Sequence, residues 1–253
     1  MLRVFLTLYA LLIFLISHVA ILLAAAPTLS ATSSSTYTDV TILETTGSVS
    51  WTSGDFLVVQ GVTEDNAATI STPATAGSGV TFAAVSSTPT NTASTAKSYA
   101  WTATASATSS GTITATTSLN CGCGITVWVF SGSDGLGNTA INANTGATTT
   151  ISLVRGSANS FVTWHAGDWN AVGDTAVTAA PAGGNQRVAA NNSMRVTSYA
   201  FDWGDQGAAG TTSYGIGSHA GGGKFSQIAL EIKGTGAAPA APKRLLTLGA
   251  GDN

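Results

Sequence analysis

Three small groups of residues in this 253-residue chain carry side chains suited to chemistry. Cys121 and Cys123 flank Gly122, and on a strand positions i and i+2 point the same way, so both thiols would face one side of a sheet. Direct bonding at that spacing conflicts with extended geometry. The pair reads as two small buried residues beside glycines, with a disulfide in an exported chain as the alternative. A metal site would need two more soft ligands, yet the chain has no further cysteine, and beyond His18 only His165 and His219. His165 and Asp168, in TWHAGDWN, look like a fragment of an acid–base site. A Ser-His-Asp hydrolase also needs its serine on a strained turn, and no G-x-S-x-G occurs. Glycoside cleavage needs two carboxylates facing one cleft, and the glutamates are only Glu44, Glu64 and Glu231. No catalytic residue is assigned on these grounds.

Binding is better represented. Trp169 follows Asp168 and Trp203 follows Asp202, each pair near the end of an expected strand and close to Gly or Asn. An exposed indole stacks on the apolar face of a pyranose while a neighbouring carboxylate bonds its hydroxyls. These four residues are therefore the candidate glycan contacts, against the plainer reading that the rings plug the ends of a core. Asp202 and Asp205, in FDWGDQG, offer half of an oxygen-rich calcium site, although aspartates in turns more often cap them. No other cofactor is implied. Trp51, Trp101, Trp128 and Trp164 are expected in the core, and Asn191-Asn192-Ser193 is a formal glycosylation sequon.

The elements that would position these residues read as strands. Charged residues are 8 % of the chain, apolar residues 44 %, and the formal net charge is −3. Thr, Ser, Ala, Gly and Asn take the places where Lys and Glu usually stand, and the absence of a basic cluster excludes nucleic acid as a partner. Short apolar or alternating runs broken by Gly, Asn, Asp and Ser predict strands from residue 38 to residue 233. DFLVVQGV, 55–62, is apolar on both faces and reads as a central strand. Tyr99, Trp101 and Ala103 share one face of the next aromatic strand. Near the end, Ile228, Leu230 and Ile232 alternate with Gln227, Ala229, Glu231 and Lys233, which predicts one wet face. The expected fold is all-β, an antiparallel two-sheet β-sandwich of jelly-roll type over 38–233, preceded by one N-terminal hydrophobic helix.

Outside that domain the composition changes. Residues 4–23 are almost wholly apolar after Arg3, and 20 residues at about 1.5 Å each span a bilayer core. Residues 1–31 therefore read as a cleaved signal peptide or a retained membrane anchor, and either exports the remainder of the chain. Residues 32–37 read as a Ser/Thr linker, and 234–253 as a Gly/Ala/Pro spacer with a tail. In that tail Leu245, Leu246 and Leu248 form a short β-competent run suited to a subunit contact by strand addition.

GDFLVVQGV (54–62), VWVFSGSDG (127–135), TTTISLVRGSANSFVTW (148–164) and FSQIALEIK (225–233) succeed one another in an order that resembles a β-sandwich module of secreted bacterial proteins and of virion surface proteins of tailed phages. That module often carries a Pro-Gly-Trp turn, whereas here Thr72-Pro73-Ala74 lacks the Trp. The resemblance implies a sandwich fold and a structural or binding role at the cell or virion surface, and it transfers no catalytic residue. The expected function is that of an exported, non-catalytic surface or virion structural protein acting through assembly or adhesion, by contact with itself or other surface proteins. A carbohydrate-binding module is the alternative, and a secreted hydrolase is third.

Overall fold

In the computed structural model, which describes residues 25–36, 42–63, 67–90, 96–146, 149–169, 177–191, 197–218 and 223–235, every regular element is a β-strand and every pairing is antiparallel. The expected N-terminal helix (4–23) and the tail leucines lie outside the described residues.

The strands fall into two successive sets. The first comprises β1 (Thr28–Ser34), β2 (Leu43–Thr45), β3 (Val49–Trp51), β4 (Phe56–Thr63), β5 (Ala74–Thr75), β6 (Ala83–Thr90), β7 (Lys97–Thr104), β8 (Ser109–Gly111), β9 (Ile113–Thr116) and β10 (Cys123–Ser131). The second comprises β11 (Ser133–Gly146), β12 (Thr149–Arg155), β13 (Phe161–Asp168), β14 (Thr178–Ala180), β15 (Asn185–Asn191), β16 (Thr197–Trp203), β17 (Gly210–Ser218) and β18 (Gly223–Gly234). Each set builds one five-stranded sheet, ordered β1-β10-β4-β7-β6 and β11-β18-β13-β16-β15. Each also builds a smaller outer layer: β2-β9-β5 with β3-β8 in the first, β12-β17-β14 in the second. The large sheets share one connectivity, so the described residues from Ala25 to Thr235 form a structural duplication.

The duplication is visible residue by residue. Ser98-Tyr99-Ala100-Trp101 on β7 answers to Ser198-Tyr199-Ala200-Phe201 on β16. Gln60 of β4 pairs with Ala100 and His165 of β13 pairs with Ala200, which makes Gln60 and His165 equivalent.

Strand alternation explains how the layers stack. Leu57 and Val59 of β4, with Tyr99, Trp101, Ile125 and Val127, face the outer strands of the first half around Trp51 and Ile113. Trp164, Phe201 and Trp203 do the same in the second half against Ile151, Leu153, Tyr214 and Ile216. The alternate residues, Phe56, Val58, Trp128 and Phe130 on one large sheet and Phe161, Ile228, Leu230 and Ile232 on the other, meet in a middle core. Phe130 and Phe161 make an edge-to-face pair across it, with centroids 4.8 Å apart. Further along this interface the contacts become polar. Ser98 Oγ donates to the Ser226 carbonyl at 2.8 Å, and Gln60 Nε2 donates to the Ile228 carbonyl at 3.3 Å, so side chains of the first half bond backbone of the second.

The stacking adds detail to the expected sandwich and corrects the expected wet face of the last strand. The described residues form five antiparallel sheets, in which the layers of the expected sandwich are subdivided. The expected wet face of β18 is closed along most of its length: Gln227, Ala229 and Glu231 are buried because the outer layer β12-β17-β14 covers that side, and Lys233 near the strand end is half-exposed. The expected linker over 32–37 begins as part of β1, paired through Ser34 with Thr126 of β10, and Ala25–Thr235 form one compact unit. The central placement of β4, buried along its whole length, agrees with the apolar pattern of its sequence.

Candidate functional site

His165 and Asp168 stand three positions apart on β13, whose register is unbroken against both neighbours. Odd spacing on an extended strand sends them to opposite faces of the sheet. His165 points into the middle layer with Thr163 and Gly167, while Asp168 lies with Phe225 on the side of the second outer core. The imidazole is fully buried, and desolvation pushes its pKa down to about 3, so it is neutral at physiological pH. Asp168 is buried as well, and its Oδ1 accepts the Lys224 backbone N–H at 2.7 Å. The two residues that resembled an acid–base pair are thus placed on separate faces, and the carboxylate clamps the start of β18.

The two Trp–Asp pairs are also separated. Trp203 pairs with Val162 at one end of β13 and Asp168 lies at the other end, six residues or about 20 Å away. Trp203 is not an exposed platform, since only 2 % of its surface is accessible. Its indole N–H donates to the Pro181 carbonyl at 2.9 Å and its ring meets Tyr214 edge-on at 5.0 Å, because alternation on β16 turns it into the second core with Phe201. Trp169 lies beyond the end of β13 and is half-buried.

Asp202 faces the opposite side of β16 from Trp203 and is fully buried. It accepts from Asn185 Nδ2 at 3.0 Å and from Arg187 through both Nε and Nη2, a two-pronged ion pair across β15 and β16. A guanidinium already occupies the place where a calcium ion would bind Asp202. Asp205 instead accepts the Gly207 N–H at 2.8 Å and caps its turn. Among the described residues no three His, Cys, Asp or Glu side chains converge as a metal site.

Cys121 and Cys123 are joined as a disulfide, with Cα atoms 5.4 Å apart. The conflict with extended geometry does not arise, because β10 begins only at Cys123 and Cys121 precedes the strand. Both sulfurs are buried beside Ala68. Glu44 is buried on β2, in the other half from Glu231, and Glu64 lies outside the described residues. Asn192 and Ser193 of the sequon lie outside them too.

Glu231 has a role that the sequence did not suggest. Its Oε2 accepts the N–H groups of Asn138 at 2.9 Å and Gly156 at 3.0 Å, and its Oε1 accepts that of Ser157 at 2.9 Å. The carboxylate therefore holds the irregular start of β11 against the turn after β12, and Asn138 Nδ2 adds a bond to the Val154 carbonyl at 2.8 Å. The Gly-Ser pair after Arg155, placed opposite a Glu in the last strand, was the available signal.

With these acids turned inward, the surface is uncharged over wide areas. The outer face of β2-β9-β5 presents Leu43, Thr45, Thr116 and Ala74. That of β12-β17 presents Ser152, Val154, Thr211 and Ser213, with the Ser152 and Ser213 hydroxyls bonded at 3.1 Å. Beside β1 and β3, each an edge strand on that side, runs a groove of about 890 Å³ lined mainly by Ser and Thr, among them Ser30, Thr32, Ser50 and Ser110. Comparison with models of protein families, with curated protein sequences and with solved structures finds no match.

Proposed function

We propose that this chain is an exported, non-catalytic structural protein of a cell or virion surface, acting through contact of its uncharged outer faces with further copies or neighbouring surface proteins. One observation carries the reading. Glu44, Asp55, Asp168, Asp202 and Glu231 are buried, while among the described acids only Asp134 and Asp205 remain exposed. What is left outside on these faces is a mosaic of hydroxyls and methyls, with larger aliphatic side chains exposed among them, Leu43 at 55 % and Val154 at 58 %. Such faces meet without stripping water from ions, and a formal charge of −3 supplies little repulsion between copies. The apolar segment 4–23 supports export, and the resemblance to secreted and virion modules supports the class of protein. The sandwich reading is supported by three cores, each closed between two layers of sheet.

Glycan binding is the second reading, favoured by the hydroxyl-lined groove and by Trp169, the one tryptophan among the described residues that is not buried. Electron microscopy of the purified chain, run beside a glycan array, separates the two. Regular assemblies with an empty array support the structural role. Dispersed particles with glycan binding lost in Trp169→Ala or Ser50→Trp support the binding module.

A further inference from the structure

The first half of the duplication shows what packing alone asks of the second core. Thr126 pairs with Gln60 as Ile228 pairs with His165, and Gln60 and His165 are equivalent. One position earlier on each strand, Gln227 answers to Ile125 and Trp164 answers to Val59. Ile125 and Val59 are apolar members of the first core. The second half fills the same two positions with a carboxamide and an indole, and brings the hydroxyl of Thr149, at the start of β12, against them. Packing does not account for the exchange, because burying a carboxamide and a hydroxyl carries a desolvation cost that Ile and Val do not.

The three side chains are set for a reaction with one another. All three are fully buried. The Trp164 indole N–H donates to Gln227 Oε1 at 2.9 Å, and Gln227 Nε2 donates to Thr149 Oγ1 at 2.9 Å. An indole nitrogen can only donate, so it fixes which end of the carboxamide is oxygen and which is nitrogen. The hydroxyl oxygen thus rests against the nitrogen, one bond away from the carboxamide carbon. The indole N–H sits on the oxygen where negative charge would gather on attack at that carbon. A hydroxyl is a weak nucleophile, but the fold holds this one permanently beside its acyl group.

We propose that Thr149 and Gln227 form an intramolecular ester, a covalent tie between β12 of the outer layer and β18 of the large sheet. Thr149 Oγ1 attacks Gln227 Cδ, and the hydroxyl proton passes to Nε2, with which Oγ1 is already in contact. The Trp164 N–H bonds the tetrahedral oxyanion. The Cδ–Nε2 bond then breaks and ammonia leaves, so one O–C bond replaces one N–C bond and no oxidant or further reactant is consumed. Escape of ammonia drives the step forward, and exclusion of water from the core protects the ester from hydrolysis. The event happens once per chain, without turnover, and does not rest on the surface-protein reading.

Peptide mapping of the folded full chain by mass spectrometry tests it. Trypsin, cutting after Lys97, Arg155, Lys224 and Lys233, releases Thr149 within residues 98–155 and Gln227 within residues 225–233. The expected product is one species joining the two peptides, lighter than their sum by one ammonia and split by hydroxylamine, which attacks esters. Thr149→Val and Gln227→Glu should each release the two peptides separately. Two separate peptides of unshifted mass from the unaltered chain would overturn the proposal, as would a joined species that persists in Thr149→Val. The unaltered chain decides the matter even where a variant fails to fold.

Discussion

Two tryptophans that look alike in the sequence carry different loads. Trp203 fills the second core, so Trp203→Ala should destabilise the protein by about 3–5 kcal/mol. Trp169→Ala, at a half-buried position, should cost well under half of that. Urea denaturation of both variants reads the difference, and similar losses would mean that Trp203 is not the core residue described. His165 makes a pH-dependent contribution of definite sign. Its pKa falls from 6.5 to about 3 on folding, so the unfolded chain binds its proton more readily. Stability is therefore level with respect to this group above pH 6.5, declines as pH drops below it, and has lost up to about 5 kcal/mol near pH 3. His165→Gln should flatten that slope, and thermal melts between pH 7 and pH 3 would show it. An unchanged slope would place the acid sensitivity elsewhere.

Elements are positioned by close approach as much as by pairing. A Cβ at Gly167 on β13 would collide with Val62 Cγ2 on β4, so a glycine is what lets the two large sheets approach at that point. Gly167→Ala should cost about 1–3 kcal/mol by overpacking, and adding Val62→Ala should restore part of it. Additive losses in that double-mutant cycle would deny the contact. Much of this level is legible in the sequence. The doubly apolar run of β4 announces a central strand, and the alternation Tyr99, Trp101, Ala103 announces which face meets the first core. β18 misleads because Gln227 and Glu231 read as solvent-facing, whereas they bond inward to Trp164 and to the β11 and β12 backbone. β11 escapes a sequence reading because SDGLGNTAINANTG has the composition of a loop, and it is held as a strand by pairing along β18. Trp203 with Asp202 misleads for a related reason. Adjacent positions on β16 turn Trp203 and Asp202 to opposite faces of one strand, and their partners, Pro181 and Arg187, come from other parts of the fold.

At the largest scale, the unit from Ala25 to Thr235 is a duplication whose halves share a core, and the repeated Ser-Tyr-Ala-aromatic stretches are its sequence signal. Because the outer layers are thin and their exposed faces nearly free of charge, association through them should be insensitive to salt, unlike contacts made by ion pairs. The direct measurement is sedimentation velocity of the chain from residue 25 onward, across protein concentration and between low and high salt. The account predicts concentration-dependent assembly that persists in high salt and is lost when Ser152→Lys with Ser213→Lys and Thr45→Lys with Thr116→Lys charge the two outer faces. A species that stays monomeric at every concentration, or an assembly unaffected by those lysines, would contradict it.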